Sequence, residues 1–385
     1  MEKEILLSQK LIDIKSLSGY NSEVISFINE YLKSLGFQCQ ELVYEGNNSY
    51  KVNNLHAIYN PKNSKEVIYF AGHTDVVSEG DISLWKSNPF KSEIRNENLY
   101  GRGAADMKCA IACFLVAVED FILQNKLPEI GIGFIITNDE ENDGVNGTSK
   151  VLEWMQENNY NISKCIVGEP TNPTKLGEMI KIGRRGSINF SLKITGKQGH
   201  VAYAEKAINP ITIIIDILKI LKSHKFDEGN EFFDASNLEV TALGSDNFGN
   251  NVIPGNAWAN FNIRFNSLHD SKSLIDLVDY VCKKNILAMN AHHEISYKVS
   301  GESFMSKVGD FSRIAQDVVE KITGLRPVLG TTGGTSDARF IKNYCENLVE
   351  LGLVNETAHH VNEYSKISEI KNLKKIYFEI LRNIS

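Results

Sequence analysis

Four short candidate strands in the first half of this chain each deliver acidic side chains where the strand stops, in one case with a histidine. Residues 65–71 lead to Gly72-His-Thr-Asp75, residues 93–99 to Gly101-Arg-Gly-Ala-Ala-Asp106, residues 131–137 to Asn138-Asp-Glu-Glu141, and residues 164–168 to Glu169-Pro170. The runs at 65–71, 131–137 and 164–168 are rich in Val, Ile and aromatic residues, the composition of buried strands, whereas 93–99 is more polar. Gly72 is expected to break the first strand, with His73 and Asp75 presenting their side chains on one face of an extended segment. Helical periodicity over 107–124 and 146–157 makes the strands alternate with helices. That alternation predicts an α/β fold: a mixed, mostly parallel sheet with helices on both faces. Parallel strands carry their carboxyl ends to one edge, where open α/β sheets place chemistry.

The pattern changes near residue 181. Runs at 187–195, 238–246, 256–265 and 293–299 alternate with period two, and 207–223 and 270–285 have helical spacing. This predicts a small α/β sandwich, residues 182–296, inserted into a larger domain formed by 1–181 and 297–385. The larger domain is expected to gain amphipathic helices at 4–15, 22–35, 309–323 and 366–383, with further strands at 37–44, 52–59 and 346–351. Two domains suit 385 residues, too many for one compact core.

A net charge of −7 argues against nucleic acid or an anionic membrane as the main partner, while leaving room for an anionic small molecule at local arginines. No run reaches the ~20 apolar residues of a membrane span. The amino-terminal residues lack a signal-peptide layout. The six cysteines form no Cys-x-x-Cys pair and several fall in apolar patterns. Free thiols and a cytoplasmic location are the expectation.

Unpaired carboxylates at the ends of buried strands are costly without a compensating cation. His73 with Asp75, Asp106, Glu140, Glu141 and Glu169 supplies the donor types that suit Zn²⁺ or Co²⁺. There are more acids than one ion needs, which suggests two metals sharing a bridging carboxylate. Glu140 and Glu141 are adjacent and cannot both point the same way from an extended segment. One can bind metal while the other serves as a general base. Singly, each motif has an ordinary explanation as a turn, a surface pair or a hydrogen-bonded histidine. Jointly, at successive strand ends, those explanations are hard to sustain.

Ala71-Gly-His-Thr-Asp-Val-Val, Tyr100-Gly-Arg-Gly-Ala-Ala-Asp-Met-Lys, Asp139-Glu-Glu and Val167-Gly-Glu-Pro-Thr resemble the dinuclear zinc aminoacylase/carboxypeptidase family, in unbroken order from about residue 5 to 383. The resemblance implies a zinc-exopeptidase-like catalytic domain with two Zn²⁺ per subunit, Co²⁺ being able to replace one. It implies that His73 and Glu169 hold one metal, that Glu141 and His359 hold the other, and that Asp106 bridges them. It makes Asp75 the residue that orients His73, and Glu140 the general base. The family spacing His-x-x-Asn-Glu selects His359 over His360. It further implies a homodimer through the inserted domain, with His200 of one subunit serving the other's reaction.

Narrower signals are Gly183-Arg-Arg-Gly-Ser187, Asn251-Val-Ile-Pro-Gly255, Phe261-Asn-Ile-Arg264 and Thr332-Gly-Gly-Thr-Ser-Asp-Ala-Arg-Phe340. By resemblance they imply hydrolysis of the amide of N-succinyl-L,L-2,6-diaminopimelate, in lysine and peptidoglycan precursor biosynthesis. Arg184, Arg185, Asn251, Arg264, Thr335 and Asn355 fall where the family binds substrate, and Arg339 is a further candidate for a substrate carboxylate. Two departures are Ala204-Glu205, where the family has Pro-His, and Cys109 for a usual glycine. The alternatives are an acetylornithine deacetylase-like amidohydrolase and a non-catalytic metal-binding relative. The second predicts a lost ligand or a lost Glu140, and none is lost.

Overall fold

In a computed structural model, residues 2–20, 23–46, 49–124, 128–142, 144–247, 249–287 and 289–384 are described. Two units are distinguished: Met1–Ile182 with Ser306–Gly330 and Ser336–Ser385, and Gly183–Met305 with Thr331–Thr335.

The larger unit is built on an eight-stranded sheet. Strand Val67–His73 lies at its middle, parallel to Gly131–Thr137 on one side and to Lys164–Val167 on the other. Leu348–Glu350 continues the parallel set, while Ser49–Tyr59 and Gln38–Gly46 add antiparallel strands. Both faces are covered because side chains alternate along the central strand. Phe70 stacks on Phe114 of helix Lys108–Gln124, which in turn meets Tyr377 of helix Ile367–Ile384. On the other face, the Tyr69 hydroxyl and His56 Nε2 are 3.1 Å apart, and the His56 ring packs on Trp154 of helix Thr148–Glu157.

The central strand does not break at Gly72; it runs through to His73. The glycine serves close approach instead, since a Cβ there would come within 2.5 Å of Met107 Cε. The expected strand 93–99 is a tight hairpin of Glu93–Arg95 and Asn98–Tyr100. Asn96 and Glu97 both adopt positive φ, as a two-residue turn of primed type requires. The strands Met179–Lys181 and Val328–Gly330, which pair in parallel, are too short for a periodic signal. The helix expected over 22–35 is Val24–Ser34; residue 22 lies outside the described residues.

The smaller unit has a four-stranded antiparallel sheet in the order Asn237–Ser245, Asn256–Phe265, Gly186–Thr195, His292–Gly301. Its core joins alternate residues of Gly186–Thr195 and Asn256–Phe265 to the apolar faces of helices Pro210–Ser223 and Ser271–Ile286. Asn209 and Asp270 cap these helices. The unit continues past residue 296, because the last strand pairs up to Gly301 and Phe304–Met305 then pairs with Gly183–Arg184.

Candidate metal centre

The candidate ligands of the larger unit sit where regular structure stops. His73 ends the central strand opposite Thr137, the last residue of its neighbour, so residues 138–141 leave the sheet beside it. Glu169 follows strand Lys164–Val167, and Asp106 precedes helix Lys108–Gln124. The Asp106–Met107 peptide is cis. Gly103 has φ +87, and a Cβ there would come within 2.9 Å of Val76, so the turn before Asp106 requires glycine.

The ligand atoms converge in two groups. His73 Nε2 lies 3.1 Å from Asp106 Oδ1 and 3.6 Å from Glu169 Oε1. His359 Nε2 lies 2.8 Å from Glu141 Oε1 and 3.5 Å from Asp106 Oδ2. Asp106 therefore turns one oxygen toward each histidine. Glu140 joins His73 and Glu169 in a cluster whose donor atoms lie within 4.8 Å of one another, and His73, Asp106 and Glu141 form a second. His360 is exposed and is not among the clustered donors; its main-chain carbonyl accepts from Arg102.

The electrostatics follow from this crowding. Burial opposes charge on His73, but the hydrogen bond and charge of Asp106 outweigh it and hold the imidazolium well above the ordinary histidine value. Hydrogen bonds to Asp106 and Glu141 push His359 up to about 10. Burial would raise Asp106, but the two histidines win and hold its carboxyl below the usual range. Burial, then the charge of Glu169, pushes Glu140 well above the usual glutamate value. Burial also raises Glu141, against the opposing pull of His359. Five carboxyl groups, those of Asp75, Asp106, Glu140, Glu141 and Glu169, thus crowd around two imidazole rings. With imidazole and carboxylate oxygen as donors, the set fits divalent metal ions.

Asp75 is fully buried, but its carboxylate is not the main partner of His73. His73 Nδ1 donates to the Asp75 main-chain carbonyl at 2.9 Å, and the nearer carboxylate oxygen is 3.7 Å away. The carboxylate accepts instead from Ser18 Oγ and from the N–H groups of Glu140 and Glu141. Three donors outcompete the ring, and Asp75 thereby grips the acid loop as well as fixing the tautomer that leaves Nε2 free for a metal. Glu363, which the sequence supplies only as the end of a spacing motif, is buried against the loop that carries Asp106. The signal for it was the matching cation, Arg102, set between two glycines.

The remaining candidates divide between the units. Arg184 is buried and Nη1 donates to the Gly334 carbonyl, while Arg185 Nη1 donates to Asn237 Oδ1. Arg264 is half-buried; burial and then the charge of Arg185 lower its pKa. Asn251 and Thr335 also belong to the smaller unit. His200 is exposed there, its Nδ1 accepting from the Ala202 N–H at 3.0 Å. In the larger unit Asn355 is exposed and its N–H donates to the Asn172 carbonyl, and Arg339 lies against Phe340 and 4.0 Å from Asp337.

Peptidase family M20/M25/M40 matches residues 69–383, which include all the candidate ligands of this centre. The chain belongs to that family. It is accordingly a hydrolase of the metal-dependent kind that its clustered ligands suit. A succinyl-diaminopimelate desuccinylase of Pelagibacter ubique (strain HTCC1062) is 47% identical over 99% of this chain and 98% of its own length. One from Rickettsia canadensis (strain McKiel) is 44% identical over 96% of each. Among solved structures, an M20 family metallo-carboxypeptidase from Sulfolobus solfataricus superposes with a TM-score of 0.81 at 19% identity, covering 99% of both chains. A dinuclear metal-binding M20 peptidase from Bacillus subtilis gives 0.71 at 16% identity, covering 99% of this chain and 97% of its own. No described helix is long and apolar enough to cross a membrane.

Proposed function

We propose that this chain hydrolyses the amide of N-succinyl-L,L-2,6-diaminopimelate to succinate and L,L-diaminopimelate, in lysine and peptidoglycan precursor biosynthesis. The observation that carries the chemistry is Asp106, shared between the His73–Glu169 and His359–Glu141 pairs with Glu140 beside them. The substrate rests on the name borne by relatives 44–47% identical over nearly the whole chain.

Two Zn²⁺ ions are the proposed occupants: His73 and Glu169 hold one, His359 and Glu141 the other, and Asp106 lies between. Co²⁺ can replace one, since the same donors accept it. Such a pair, when bound, polarises an amide carbonyl and lowers the pKa of a water. Glu140 takes the proton of the attacking water and returns it to the leaving nitrogen as the C–N bond breaks. Asp75 holds the Glu140 main chain in place for both transfers.

The substrate's carboxylates are proposed to meet Arg184, Arg185 and Arg264, whose guanidinium groups bind carboxylate in two-point fashion. Asn251, Thr335 and Asn355 supply neutral contacts. The charge of Arg185 acts on Arg264, so the two guanidinium groups would together favour an anion. His200 is proposed to donate to the oxyanion of the partner subunit's reaction, in a cytoplasmic homodimer formed through the smaller unit. With Nδ1 accepting from Ala202, the ring proton of neutral His200 sits on Nε2, as a donor requires.

The test is turnover of N-succinyl-diaminopimelate against N-acetylornithine by protein stripped of metal and titrated with Zn²⁺. Full activity only at two equivalents, with preference for the succinyl substrate, supports the proposal. Preference for the acetyl substrate, or full activity without metal, overturns it.

A further inference from the structure

Residues 101–106 form an irregular turn buried between the hairpin Glu93–Tyr100 and helix Lys108–Gln124, so each of its N–H groups needs an acceptor. Arg102 donates to the Pro89 carbonyl and Ala104 to that of Gly101. The other four all go to one residue. Gly101 donates to the Glu363 carbonyl at 3.0 Å. Gly103 donates to Glu363 Oε2 at 3.0 Å, and Ala105 and Asp106 donate to Oε1 at 2.8 and 3.1 Å. Oε2 also accepts from Arg102 Nη1 at 2.8 Å, which gives each carboxylate oxygen two donors.

Arg102 extends the grip. Its Nη1 also donates to the carbonyl of His360, and its Nη2 to that of Ser78. Both side chains are almost fully buried, at 3% and 1% exposure. One ion pair thus joins the turn bearing Asp106 to the segment bearing His359, which itself adopts positive φ. Neither Arg102 nor Glu363 is among the clustered ligands, and Glu363 spends its acceptors on the turn.

We propose that Glu363, clamped by Arg102, is a positioning residue for the dinuclear centre: it fixes the main chain of Asp106 relative to His359, and so sets how one carboxylate spans both metal sites. The proposal rests on the two-metal reading above. A buried ion pair of this kind contributes little net stability, because desolvation offsets much of the attraction. Its value here lies in geometry. Glu363→Gln keeps the shape but turns an NH₂ group toward one pair of donors, so half the grip becomes repulsive.

The experiment titrates Zn²⁺ into metal-stripped full-length wild type, Glu363→Gln and Arg102→Lys by calorimetry, and records the Co²⁺ absorption spectrum of each at two equivalents. Circular dichroism and thermal melting monitor the fold. Expected are two equivalents in the wild type, a folded Glu363→Gln whose weaker site loses about 10- to 100-fold in affinity, an altered cobalt spectrum, and a fall in kcat larger than any change in KM. Arg102→Lys should show the same pattern more weakly, and it carries the test if Glu363→Gln does not fold. Wild-type affinities with an unaltered cobalt spectrum in the folded variant overturn the proposal and leave the two-metal reading standing. A single equivalent in the wild type overturns both. Failure of both variants to fold assigns the pair to stability alone and likewise overturns the proposal.

Discussion

His56 and His73 are both buried in the same sheet of the larger unit, at 1% and 2% exposure, yet their rings behave oppositely. His56 lies within strand Ser49–Tyr59 among Tyr69, Trp154 and Tyr160, and burial lowers its pKa to about 4. His73 ends its strand among Asp106, Glu140 and Glu169, which together outweigh the same burial and raise it. Burial therefore does not mark a functional histidine. The charge gathered round it does, and here Glu140 and Glu169 come from segments that leave parallel strands, while Asp106 follows the antiparallel hairpin Glu93–Tyr100.

The sharpest way to break the comparison is to remove each ring. His73→Ala should lose a metal site and with it nearly all turnover, whereas His56→Phe should bind metal as the wild type does; metal analysis after dialysis separates the two. Glu140→Ala should leave metal uptake intact while turnover falls at least ~10²-fold, the usual scale for loss of a general base. Steady-state kinetics on protein of measured metal content checks it, and unchanged activity would remove Glu140 from the mechanism.

The two rings should also give opposite pH dependence of stability in metal-free protein. The folded pKa of His56 lies below its unfolded value of 6.5, so its contribution is intact above pH 6.5 and is lost as pH falls toward about 4. A shift of that size corresponds to about 3 kcal/mol. Denaturant melts from pH 7 to 4 should be correspondingly flatter in His56→Phe than in the wild type. His73 has a raised folded pKa, so its contribution is complete below pH 6.5 and lost as pH rises through the folded value. Zn²⁺ binding near neutral pH must then release protons from His73 and His359, measurable as a buffer-dependent heat.

The smallest effect is expected at Asp75. Asp75→Asn leaves the main-chain carbonyl that holds His73 but weakens the grip on the N–H groups of Glu140 and Glu141. Turnover should fall ~10-fold, more than metal retention does. Equal losses in both would return Asp75 to the role of carboxylate partner of the ring.

Much of the mixed α/β fold was legible, because its strands and helices carry strong periodic signals. Helices Lys108–Gln124, Asp310–Thr323 and Ile367–Ile384 begin and end within a residue of expectation. The hairpin turn at Asn96 and Glu97 was not, since neither residue is the glycine that usually marks positive φ. Gly72 misled for a related reason: a glycine's role in packing depends on a neighbour, here Met107, that lies far along the chain. His73 and the candidate acids were legible at expected strand ends and His359 through its spacing motif, but the parts of Asp75 and Glu363 were not. A carboxylate's function depends on which N–H groups reach it, and those are set by turns remote in sequence.

The sequence by itself determined the alternation that builds the sheet, the residue types at its carboxyl edge, and the family, because periodicity and motif order are local and linear. Tertiary structure alone decided that Asp106 faces both histidines, that Asp75 holds the His73 ring by its main-chain carbonyl and the acid loop by its carboxylate, and that Glu363 and Arg102 tie together the two segments bearing Asp106 and His359. Those relations join residues up to 261 positions apart. They exist only once buried polar groups, shut off from water, must find one another as partners.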